Sequence, residues 1–195
     1  MFLNLSKLGV GIVLVLLVIH HAIAPIKGAR WNPGSWVKMA LTQIGQIFTG
    51  KPLSFLGKLK KLAYVGALLC FVILFLTGFV PMWSGGHLAG YVVMLHVGLA
   101  PVFVSCVAFL AIAWAQANAF IGGATDGPNG CLFKKCCFWA LLILTLPMAL
   151  SIALCMLPIF GTYGQELMLE VHRYSALPFA LIGMVHSYLT LRSQV

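Results

Sequence analysis

Five separate runs of this chain stay apolar over about 20 residues, the length an α-helix needs to cross a hydrocarbon core of about 30 Å. They lie at residues 8–25, 62–83, 88–115, 136–160 and 166–191. A backbone facing lipid has no water to pair with its N–H and C=O groups, so each run is expected to close its own hydrogen bonds as a helix. Composition agrees. Of the 195 residues 62% are hydrophobic and 8% charged, and the mean hydropathy is +1.04, more apolar surface than a soluble domain of this length can hide. The expected fold is an all-α membrane protein of five transmembrane helices in a single domain, residues 1–195, without an internal repeat.

The formal net charge of +9 points to membrane orientation once the basic residues are placed. Lys27, Arg30, Lys38, Lys51, Lys58, Lys60 and Lys61 lie between the first two runs, Lys134 and Lys135 between the third and fourth, and Arg192 after the fifth. With five spans all of these share one side, whereas Lys7 and Arg173 share the other with Glu166 and Glu170. The positive-inside rule then puts the N-terminus outside and the C-terminus in the cytoplasm. Basic residues that flank spans in this way argue against nucleic acid as a partner.

The first run ends in Ala22-Ile23-Ala24, a small-residue pattern shared with signal-peptide cleavage sites. Lys7 alone makes a thin basic n-region, Pro25 would follow the cut, and two histidines precede it. A retained helix is therefore expected; removal would take His20 and His21 away. The cysteines form no framework. Cys70, Cys106 and Cys155 fall inside spans as small apolar residues. Cys131, Cys136 and Cys137 cluster at the cytoplasmic end of the fourth span, where thiols stay reduced. With no further Cys or His in that loop, neither an iron–sulfur nor a zinc site is expected, and the absence of CxxCH excludes covalently attached c-type haem.

Between the first two spans WNPGSW reads as a turn and ALTQIGQIF as a short helix on the membrane surface. IGGATDGPNG joins the third and fourth spans as a Gly-rich loop, and the outer connections PMWSGG and FGTYGQ are tight. So little chain outside the membrane leaves chemistry on a soluble substrate to a partner.

Ionisable side chains inside spans are costly and usually functional. Five of the six histidines, His20, His21, His96, His172 and His186, lie within or at the ends of spans, and His87 lies at the outer mouth. His172 and His186 are 186 − 172 = 14 positions apart, about 21 Å along a helix and about 40° around it, so they share a face at two depths. His96, on a helix running in the same direction, comes near the level of His172. His20 and His21, at the inner end of the first helix, come near the level of His186. Imidazoles paired across a bundle at two levels are what two bis-histidine b haems require, one axial ligand from each side of the iron. His20 and His21 are about 100° apart on a helix, so one of them ligates; His20, on the face of Gly9, is preferred. Gly78, Gly98 and Gly183 would let a macrocycle approach the backbone. Arg173 either neutralises a haem propionate or snorkels to the interface. His87 and His96 are nine positions apart and face opposite ways, so His87 does not share a haem with His96 and is either a loop histidine or a contact to a propionate or quinone.

These residues resemble a family. VHRYSALPFALIGMVHSYL is similar to the last helix of the di-haem cytochrome b subunits that anchor formate dehydrogenase (its gamma subunit), nickel–iron hydrogenase and thiosulfate reductase complexes, where two haem ligands have the spacing of His172 and His186. KLKKLAYVGALLCFVILFLTG resembles the family's first core helix, closing on Thr77-Gly78, and LHVGLAPVFV the second, whose histidine matches His96. The similarity spans about residues 50–192 and implies a four-helix haem-binding bundle plus an extra N-terminal helix. It departs at one point: the family's first core helix supplies the fourth ligand near its cytoplasmic start, where this chain reads KLKKLAY. His20 or His21 would substitute, or the inner haem is differently ligated or absent.

The resemblance implies an electron conduit in a bacterial cytoplasmic membrane. It would run between a quinone or menaquinone pool and an extracytoplasmic iron–sulfur or multihaem cytochrome c subunit that serves a catalytic subunit. Ser187, Tyr188, Lys60 or Lys61 would meet the quinone carbonyl. The competing expectation is a cofactor-free membrane anchor or transporter whose histidines relay protons or pack helices.

Overall fold

The computed structural model describes residues 1–23, 54–86, 89–120, 132–157 and 159–192. His87, Pro158, Cys131, the connections at 24–53 and 121–130 and the basic residues Lys27, Arg30, Lys38 and Lys51 lie outside them. Among the described residues there are five α-helices and no strands: α1 Phe2–Ile23, α2 Phe55–Trp83, α3 Gly90–Trp114, α4 Leu132–Cys155 and α5 Thr162–Arg192. The helices α1 to α4 are each long and apolar enough to cross a membrane. The fifth, at 31 residues, is the longest, about 46 Å at 1.5 Å per residue, but Glu166, Glu170 and Arg173 make it less apolar than the others.

Local chemistry sets the helix ends. Helix α2 begins seven residues before its apolar run (62 − 55 = 7) because Ser54 caps it, its Oγ accepting from Gly57 N–H at 3.2 Å. The amphipathic first turns, with Lys58, Lys60 and Lys61, are thereby drawn into the helix. At the other end Gly86 N–H donates to Pro81 O at 2.9 Å and Gly85 N–H to Met82 O at 3.4 Å. That Schellman closure needs a left-handed residue, and Gly85 supplies it at φ 76°. Pro81, Pro101, Pro147 and Pro178 all sit inside helices that continue through them.

The described residues fall into two compact units. One holds residues 15–114, and the other holds residues 1–14 together with 115–194. In the first, α2 packs against α3 as an antiparallel hairpin. Ala63, Gly66, Ala67 and Cys70 follow one another at i, i+3, i+4 and i+7 on α2, a face of small side chains; a Cβ on Gly66 would lie 3.5 Å from Cys106 Sγ. Inside a membrane water gives helices no reason to associate, so close backbone approach through such residues holds them by dispersion. Phe103 and Leu110 of α3 are buried, and the rings of Tyr64 and Trp114 meet at a tilt, with centroids 5.5 Å apart. We expect Phe103→Ala, at a site 4% exposed, to cost about 3 kcal/mol or more. Ile112→Ala, on the exposed face, should change stability by less than about 0.5 kcal/mol. The unfolding midpoints of the two variants in detergent decide this.

In the second unit α4 packs against α5, again antiparallel. Three of its buried hydroxyls are satisfied within their own helices: Thr145 Oγ1 donates to Leu141 O at 2.7 Å, Ser151 Oγ to Met148 O at 3.1 Å and Ser175 Oγ to Val171 O at 2.7 Å. Helix α1 meets α5 through Phe2 and Tyr174, whose ring centroids are 5.1 Å apart, and through Gly9, where an added Cβ would lie 3.3 Å from Leu181.

Candidate functional site

Each unit carries histidines, and the bonds around them set the chemistry on offer. On α5, His172 is half-buried and its Nδ1 lies 2.9 Å from the backbone carbonyl of Met148 on α4. A carbonyl only accepts, so Nδ1 carries the proton and, in the neutral ring, Nε2 carries the lone pair. This is the state a histidine needs to bind a metal through Nε2, with the second nitrogen anchored to a carbonyl. The same helix holds His186 in unbroken register, about 21 Å further along. His186 differs from His172 in one respect: its Nδ1 is buried and makes no hydrogen bond with the described residues.

On α3, His96 lies against α2. Its Nδ1 is 2.9 Å from Thr77 Oγ1, and its Cε1 would stand 3.2 Å from a Cβ on Gly78. Gly78 therefore makes room for this imidazole, where the sequence suggested room for a macrocycle. Gly98 faces open space, and Gly183 is buried on α5. At the end of α1, His21 is 5% exposed and His20 is exposed, the reverse of the preference for His20. Arg173 is exposed, next to His172. Of the side chains considered for a quinone, Tyr188 is buried, while Ser187, Lys60 and Lys61 are half-buried.

Sequence reasoning missed the two partners. The Met148 carbonyl is silent in sequence because every residue has one. Thr77 was visible, but nothing in its spacing announced that it would meet His96. Among the described residues no group of three or more His, Cys, Asp or Glu could hold a metal ion; a haem iron takes only two protein ligands, so it calls for no such group. The donor set fits haem at His172, a neutral imidazole with its proton on the anchored nitrogen, and at His96, whose ring is seated by two residues of α2.

By fold and composition the chain is an all-helical protein of membrane-spanning type. Compared with family models, curated proteins and solved structures, it matches none.

Proposed function

We propose that the chain is the di-haem cytochrome b subunit of a membrane-bound respiratory redox complex in a bacterial cytoplasmic membrane. It would carry electrons between a quinone or menaquinone pool and an extracytoplasmic iron–sulfur or multihaem cytochrome c subunit, itself joined to a catalytic subunit. The five apolar runs would make five spans, and with five spans the placement of the basic residues would put the N-terminus outside. One observation carries the reading: His172, on a long helix that repeats a histidine fourteen positions on, has its Nδ1–H tied to a carbonyl and so offers Nε2 as a ligand. The candidate ligands of the two haems are His96, His172 and His186, with His20 or His21; Arg173 is exposed, next to His172. Bound haem supplies a one-electron Fe(III)/Fe(II) couple at each level. The bonds at His172 and His96 would fix the tautomers of those two ligands, and the helix rise between His172 and His186 would set the two depths.

A second reading, a cofactor-free membrane anchor or transporter, draws on the same bonds, because histidine to carbonyl and histidine to threonine contacts also pack membrane helices without any cofactor. A visible spectrum of the purified protein separates the two. Dithionite reduction should produce the sharp α band of b haem, at about two haems per chain by pyridine haemochrome. A featureless spectrum from protein expressed with ample haem supply would leave the anchor or transporter standing.

A further inference from the structure

We infer that Thr77 and Gly78 are positioning residues that set both the tautomer and the rotation of His96, and through them the reduction potential of the haem it would ligate. The inference rests on the haem reading above. Thr77 Oγ1 lies 2.7 Å from Ile73 O, a bond only the hydroxyl proton can make. With that proton committed, the contact of 2.9 Å to His96 Nδ1 is one in which Thr77 accepts, so Nδ1 carries the hydrogen. Leu74 O, at 3.3 Å, is a weaker alternative target for the same proton and leaves the conclusion unchanged. Gly78 completes the seat. A methyl there would stand 3.2 Å from His96 Cε1, so the ring would have to rotate away and the Thr77 bond would lengthen.

The consequence is electronic. An imidazole whose Nδ1–H is taken by an acceptor is a stronger σ-donor at Nε2 and stabilises ferric over ferrous iron. Thr77→Val keeps the shape and removes the acceptor, so the potential of one haem should rise while the other holds. The expected change is on the order of tenfold in that haem's reduction equilibrium, about 59 mV for one electron. Thr77→Ser restores the acceptor and should return the potential towards wild type. Gly78→Ala should move the same haem.

Potentiometric titration of the α band in the full chain reads these shifts. Wild-type potentials for both haems in Thr77→Val, at unchanged haem content, would overturn the inference while leaving the haem reading intact. The tautomer has its own readout in haem-free protein, where no iron fixes the ring: 15N spectra of the histidine-labelled chain, with His96 assigned by its loss in His96→Gln. A proton on Nδ1 in wild type, with Nε2-protonated ring gained in Thr77→Val, supports the seat. A proton on Nε2 in wild type rejects it. Because this measurement is made without haem, failure of the functional reading and failure of the seat are seen separately.

Discussion

His172→Gln should leave a folded protein that has lost one of its two proposed haems. The amide of glutamine can still donate to Met148 O, the acceptor that lies 2.9 Å from His172 Nδ1, but it is a poor ligand for haem iron. Even complete loss of that bond would cost only about 0.5–1.5 kcal/mol, because the carbonyl also accepts from Ser151 Oγ at 3.1 Å and is not stranded. Haem content should therefore fall by half without collapse of the α4–α5 pair. His186→Gln should remove the other haem independently, since sites about 21 Å apart along one helix act nearly additively. Haem-to-protein ratio, followed with the unfolding midpoint, measures both effects. Retention of both haems in a stable His172→Gln protein would exclude His172 as a ligand.

The second large effect belongs to the end of α1. His21→Leu should lower haem content by one, and His20→Leu should leave it unchanged. The reason is burial: His21 is 5% exposed while His20 points outward, and two adjacent residues on a helix, about 100° apart, cannot both turn inward. If His20→Leu removes a haem and His21→Leu does not, the inward-facing assignment is reversed. If neither does, the fourth ligand lies elsewhere, and the departure from the family at KLKKLAY gains weight.

Much of the fold was legible because membrane helices are written in composition. Apolar runs of this length have few alternatives to a helix, and all five appear, with ends displaced where capping chemistry outweighs hydropathy. Ser54 pulls the start of α2 into the basic segment, and Gly85 closes its end. The lower apolarity of α5 was also readable, since Glu166, Glu170 and Arg173 stand within its first turns. The histidines could be ranked by depth because rise per residue is nearly constant in a helix.

Sequence alone thus determined the helical, membrane-spanning class, the presence of the five helices among the described residues, and the common face and spacing of His172 and His186, because each follows from a local rule with a fixed period. Tertiary structure decided the rest. It put Met148 O beside His172, Thr77 and Gly78 around His96, and His21 rather than His20 on the buried side. Such pairings depend on how two helices rotate against each other, and that rotation is set by many weak packing contacts summed along the interface, which no single residue's spacing encodes.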